Sequence, residues 1–163
     1  MTISAAATEL KFKYVTTSEE LDYVISVLST ETEIAIDTET ANPRKIENPD
    51  WIMNIYNKVD KGSSEFAPFD PHTCEVRLIQ LRGRDTEPFV VDLWKLKQQD
   101  VLRLAKFLEA WTGTFIAHNA KFDLKMLKGT LDVWIDRNGF IFDTMQASIL
   151  LGNLSLIHIS EPT

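Results

Sequence analysis

The spacing of apolar positions changes several times along the chain, and each change marks an element. Residues 11–16 alternate weakly through Phe12, Tyr14 and Val15, which predicts a short edge strand. Thr17 followed by Glu20 has the spacing of a capping box. Leu21, Val24, Ile25 and Leu28 then recur at helical intervals, so an amphipathic helix is expected to about Ser29. Residues 33–39 form a near-continuous apolar run that ends abruptly in Asp37-Thr38-Glu39-Thr40, the pattern of a central strand. Asn42-Pro43 breaks that strand, and Asn48-Pro49 offers an N-cap with proline at the first position of a short helix through Trp51, Ile55 and Val59. The segment 41–73 is long for a connection. It leaves from the strand end that carries Asp37 and Glu39, so it either covers that end or decorates the periphery.

Residues 76–81 and 89–93 read as two strands, and Gly83-Arg84-Asp85-Thr86 suits the hairpin turn between them. Asp100 is expected to start a helix through Leu102, Leu104, Ala105, Leu108 and Trp111, closed by Gly113. A buried strand follows at 114–118. Asn119 is expected to cap a helix with Phe122, Leu124, Met126 and Leu127 on its apolar side, running to Gly129. Phe140-Ile141-Phe142 predicts a brief strand, and Asp143 is placed to cap a last helix over 144–151. Three consecutive strands should form an antiparallel meander, and the later helical crossovers should add parallel strands. The fold class is therefore α/β, a mixed sheet with helices on both faces. A single domain is expected over 1–153, with no internal repeat, low-complexity tract or second linker.

Composition narrows the function classes. A length of 163 residues suits one domain with a sizeable core, and 44% hydrophobic with 25% charged residues is a globular balance. No apolar run approaches the roughly 20 residues of a membrane helix, and residues 1–7 lack the basic start and apolar segment of a signal peptide. The single cysteine, Cys74, excludes an internal disulfide and fits a reducing cytosol, so a cytoplasmic location is expected and Cys74 reads as an inert thiol. The net charge of −7 argues against a protein that holds nucleic acid by neutralising many phosphates. It leaves open a metal-dependent nuclease, whose site is itself a carboxylate cluster.

Candidate chemistry sits at two places. Asp37 and Glu39, two residues apart in a strand, project to the same face. Adjacent anions repel, and a divalent metal is their usual partner at a buried strand end; the other reading is a solvated loop where the strand has already ended. Asp123 lies one turn into a helix that leaves a buried strand. It either faces the end of the sheet or simply complements the helix dipole.

Taken in order, Asp37-Thr38-Glu39-Thr40, His118-Asn119-Ala120-Lys121-Phe122-Asp123 and Phe142-Asp143-Thr144-Met145 resemble the motifs of the DEDD superfamily of 3′–5′ exonucleases. The strand Arg77-Leu78-Ile79-Gln80-Leu81 is similar too, and the resemblance spans residues 11–152. It is closest to the proofreading domain of family A DNA polymerases, with the ribonuclease D branch next. The resemblance implies a ribonuclease H-like fold and two-metal-ion hydrolysis of phosphodiester bonds at a 3′ end, using Mg2+ or Mn2+ ions about 4 Å apart. It implies that Asp37, Glu39 and Asp123 are the catalytic acids and metal ligands, with Glu39 also meeting the terminal 3′ hydroxyl. Thr38, Thr40, His118 and Asn119 are the substrate-binding positions it implies, Thr40 and Asn119 at the terminal nucleotide. His118 is open to a packing role, and Phe122 reads as core. The counterpart of Asp143 is not a metal ligand, which leaves Asp143 as a helix cap.

The implied partners are a single-stranded 3′ end of DNA and a C-terminal polymerase domain. Two alternatives are an RNA 3′ end with a ribonuclease D-like enzyme, and a non-catalytic nucleic-acid-binding or structural module of the same fold. The family's fourth acid, in Tyr-x-x-x-Asp or His-x-x-x-x-Asp, has no match after Asp143: the only later histidine is His158, and no aspartate follows it. Residues 154–163 resemble translated sequencing adapter. A truncated chain with a non-native tail and little hydrolytic activity is therefore expected.

Overall fold

The structure, a computed structural model, describes residues 11–41, 71 and 74–152. Ten elements follow one another: β1 (Lys13–Val15), α1 (Ser18–Leu28), β2 (Glu33–Ala41), β3 (Glu75–Gly83), β4 (Phe89–Asp92), α2 (Gln98–Ala110), β5 (Thr114–Ala117), α3 (Ala120–Leu131), β6 (Phe140–Asp143) and α4 (Thr144–Leu150). The strands form one six-stranded sheet in the order β1-β4-β3-β2-β5-β6. β2, β3 and β4 are the expected antiparallel meander, while β5 joins β2, β6 joins β5 and β1 joins β4 in parallel. This is the mixed sheet that the sequence predicts, with β2 central and β1 at an edge. The short helix expected inside 41–73 and the tail 154–163 lie outside the described residues. Among those described, no helix is long and apolar enough to cross a membrane.

The pairing register decides which side of the sheet is buried, because directly paired residues share a face. Val15, Val91, Ile79, Thr38 and their row neighbours Phe89, Leu81, Ile36, Ile34 and Phe115 all lie on one face, and all are buried. α1 covers this face, with Tyr23 edge-on to Phe89 and beneath the Lys13 ammonium. α2 packs between α1 and α3, and α3 lies across β2, β3 and β5. The sequence predicts helices on both faces; α1, α2 and α3 all occupy this one. The opposite face carries exposed Tyr14, Ala35, Asp37, Glu39, Arg82, Phe140 and Phe142, together with the buried Asp92 and the half-buried Leu78, Gln80, Val90 and Ile116.

Local signals explain most boundaries. Thr17 and Glu20 make the reciprocal capping box that starts α1. Three expectations are corrected. α2 begins at Gln98 rather than Asp100, because Asp100 is drawn inward, accepting the Ser18 hydroxyl at 2.6 Å and Arg103 at 3.0 Å. Gly113 does not close α2, which ends at Ala110. A side chain at Gly113 would meet the Trp111 ring and the Thr32 carbonyl oxygen at 2.4–2.6 Å, so close approach explains the glycine. Gly129 lies within α3 rather than ending it, and Pro71 packs against it there.

Candidate active site

β2 places its polar end by strict alternation. Ile34, Ile36 and Thr38 point into the helix-covered core, and Asp37 and Glu39 point together to the open face. Their shared direction is as expected; their surroundings are not, since both side chains are exposed rather than held at a buried strand end. A register shift between Glu39 and Thr40 interrupts the pairing with β3 just beyond them, so Thr40 pairs with Val76 and the alternation is re-aimed at the strand's end.

Asp123 occupies the other side of the strand. It lies in the first turn of α3, only 2% exposed, and its Oδ1 accepts the Thr38 hydroxyl at 2.6 Å. Thr38, read from the sequence as a substrate contact, is thus buried and engaged by this carboxylate. Burial pushes the Asp123 carboxyl above its ordinary range. The Thr38 hydroxyl opposes that push, and the nearby Asp37 charge adds to it. Asp37 and Asp123 are therefore electrostatic neighbours on opposite sides of one strand, bridged in sequence and in space by Thr38.

His118 and Asn119 form the turn between β5 and α3. Ala35 pairs with Ile116 in parallel register, so the chain leaves β5 beside the polar end of β2. Asn119 adopts a left-handed backbone (φ 59°, ψ 51°), a conformation asparagine tolerates better than most residues. Its side chain does not cap α3, contrary to the sequence expectation. Asp143 does so from the end of β6: its Oδ1 accepts the Asn119 backbone N–H at 3.0 Å and its Oδ2 accepts that of Ala120 at 2.9 Å. Oδ1 also takes the backbone N–H groups of Met145 and Gln146, so Asp143 is the N-cap of α4 as predicted. Partial burial pushes its carboxyl upward, but the backbone donors together outweigh this and hold it below its ordinary value. The Thr144 hydroxyl donates to the Ala117 carbonyl oxygen at 3.1 Å, so at 3.0 Å it can only accept from His118 Nδ1–H. In the neutral ring that contact selects the Nδ1–H tautomer and leaves Nε2 as the acceptor nitrogen.

The donor types at Asp37, Glu39 and Asp123 suit a hard divalent cation such as Mg2+ or Mn2+. Their placement does not close a centre around one. Among the described residues no three histidine, cysteine, aspartate or glutamate side chains converge on a common point. The structure brings Asp37 and Glu39 together on the open face and His118 and Asn119 to the neighbouring turn, and it keeps Asp123 behind Thr38. Sequence reasoning missed the reach of Asp143 to the head of α3. The adjacency of Phe142-Asp143 to a helix start hints only at its local cap.

Solved structures share this architecture. The chain is similar to the catalytic core of RRP6 from Trypanosoma brucei, at 24% identity and a TM-score of 0.58, over 92% of this chain and 32% of that one. It is similar to the Aedes aegypti Nibbler EXO domain, at 18% identity and a TM-score of 0.53, over 90% of this chain and 57% of that one. It also resembles Escherichia coli RNase D, at 16% identity and a TM-score of 0.53, over 82% of this chain and 27% of that one. The chain thus spans less than two thirds of each of these proteins. No curated protein sequence matches it. Residues 62–156, more than half of the chain and inclusive of β3 to α4, match the sequence model of the 3′-5′ exonuclease family. By that match the chain belongs to the 3′-5′ exonuclease family.

Proposed function

We propose that the chain is the exonuclease domain of an enzyme that removes nucleotides from a single-stranded 3′ end. In this reading Asp37 and Glu39 are the acids that receive divalent metal, while Asp123, the third acid that the resemblance implies, is engaged by Thr38 on the other side of the strand. Asn119, His118 and Thr40 meet the terminal nucleotide. The observation that carries the reading is the exposed Asp37–Glu39 pair at the end of the central strand, next to the turn that opens the family-matched helix α3. When bound, Mg2+ or Mn2+ supplies Lewis-acid activation of water and of the phosphodiester.

The resemblance to polymerase proofreading domains supports DNA as the polymer and a polymerase domain as the neighbour in an intact protein. A ribonuclease D-like role on RNA has equal support. The similar E. coli RNase D is described as an exoribonuclease involved in structured RNA processing, and a T. brucei RNase D is known in complex with RNA U12.

Calorimetry of Mn2+ binding, paired with fluorescence anisotropy of matched DNA and RNA oligonucleotides bearing a free 3′ hydroxyl, tests this reading. Wild-type chain should bind Mn2+ and the oligonucleotide, and Asp37→Ala and Glu39→Ala should each weaken both by about tenfold or more. Equal Mn2+ binding by wild type and both variants would leave only a structural module of the same fold. The ratio of DNA to RNA affinity separates the two substrate readings.

A further inference from the structure

We propose that Asp143 is the positioning residue of this site: its one carboxylate caps two helices at once and so fixes the His118–Asn119 turn with the Asn119 side chain left open to ligand. Every residue from Ala117 to Ala120 is held from Asp143 or its neighbour Thr144. Asp143 Oδ1 and Oδ2 accept the N–H groups of Asn119 and Ala120 at 3.0 and 2.9 Å, and Thr144 Oγ1 bonds the Ala117 carbonyl oxygen at 3.1 Å and His118 Nδ1 at 3.0 Å. The same Oδ1 accepts Met145 N–H at 2.9 Å and Gln146 N–H at 3.4 Å. These links are possible because β5 and β6 run in parallel with Ala117 opposite Asp143, which ends both strands at one level.

The chemistry of the side chain makes the assignment specific. An asparagine preceding a helix ordinarily spends its side-chain oxygen on the first free N–H groups. Here Asn119 does not, and its left-handed backbone turns two successive N–H groups, its own and that of Ala120, toward the Asp143 carboxylate. A carboxylate offers two oxygens and about four acceptor positions, enough to serve both helix heads. Serine and asparagine are comparable N-caps for α4, but each has a single acceptor oxygen. Oδ1 by itself reaches both heads, taking Asn119 as well as Met145 and Gln146, so what either substitute lacks is the second oxygen that takes Ala120, where the asparagine amide would turn a donor toward another donor. A cap for α4 alone therefore tolerates Ser or Asn at this position, whereas the two-oxygen clamp loses its bond to Ala120.

The nature of the ligand at Asn119 rests on the exonuclease reading; the clamp itself does not. The test compares the wild-type chain with Asp143→Ser, Asp143→Asn and Asn119→Gly, the last keeping the left-handed backbone without strain. Amide hydrogen exchange at Ala120 should rise about tenfold or more in both Asp143 variants, while the α1 amides stay unchanged as a control for folding. Anisotropy with a fluorescein-labelled oligothymidylate in Ca2+ should show about a tenfold loss of affinity for Asp143→Ser and for Asn119→Gly. The double variant should lose no more than either single one. Unchanged exchange at Ala120 in Asp143→Ser overturns the clamp. Wild-type affinity in Asp143→Ser, or losses that multiply in the double variant, overturns its role in presenting Asn119. A wild-type chain that binds no oligonucleotide overturns the exonuclease reading, and the exchange rates then decide the clamp by themselves.

Discussion

Thr38 is the side chain between Asp37 and Glu39, and it alone of the three turns inward, where its hydroxyl keeps a buried carboxylate hydrogen-bonded. Replacing it with the near-isosteric valine leaves Asp123 without that donor. Thr38→Val should lower the unfolding free energy by roughly 1–3 kcal/mol at neutral pH, read by urea denaturation. Because Asp123 titrates above its unfolded value, its ionised form is the disfavoured one in the fold. The penalty is present above the folded pKa and fades as pH falls through it. The Thr38 hydroxyl favours the ionised form, so the Thr38→Val deficit should shrink on acidification, and a deficit that grows would refute the assignment. Asp143 has the opposite sign. Its folded value lies below the unfolded one, so its stabilisation is complete above about pH 4 and is lost as pH falls further. The stability advantage of wild type over Asp143→Asn should therefore narrow below about pH 4, followed by the same denaturation series. That Thr38 points away from Asp37 and Glu39 follows from period-two alternation, but alternation does not say which face is buried, and from the sequence Thr38 reads as a substrate contact. The engagement of Asp143 with Asn119 was not legible in the sequence, because it depends on two strands finding parallel register.

At the scale of elements, the helices divide by where their ends are satisfied. The start of α1 is local: Thr17 and Glu20 cap one another's backbone within a single turn, and the pattern was readable directly. Thr17→Ala should cost about 1 kcal/mol in chemical denaturation, with Thr17→Ser nearly neutral; equal loss in both would mean that the methyl group, not the cap, matters. α2 and α3 resisted the same reading for different reasons: α2 has no side-chain cap, and the head of α3 is satisfied from another element. Lys97 precedes α2 without any side-chain cap, and Asp100, the residue that looks like its start signal, serves Ser18 on α1 and Arg103 within α2. Asn119 precedes α3 and has its cap supplied from β6. Sequence rules for helix starts succeed where the donor and acceptor are three residues apart and fail where they are separated by a strand crossover.

For the whole molecule, the decisive property among the described residues is a sheet whose one face is covered by α1, α2 and α3 while the other carries exposed side chains around the buried Asp92. The open face holds the Asp37–Glu39 pair and also Phe140 and Phe142, at 73% and 50% exposure, on the edge strand β6. An apolar edge strand is a template for pairing with another chain. The joint substitution Phe140→Lys and Phe142→Lys should alter stability by less than about 0.5 kcal/mol while reducing self-association in sedimentation velocity. A large loss of stability would show that these rings are packed rather than exposed. The sequence made the meander and the parallel additions legible through its order of periods, but not which face would be open, since exposed Phe140 and Phe142 read as apolar as buried Phe89 and Phe115. The place of β1 has a consequence in time. β3 and β4 are neighbours along the chain and can close as a hairpin, but β1 pairs in parallel with β4, joining Lys13 to Phe89 across most of the intervening sequence. Closing so long a loop is entropically slow and is rewarded only once the meander exists to receive it. β1, and likewise β5, which joins Glu33 to Thr114 in parallel across a separation at least as long, should therefore gain protection only after the meander during refolding.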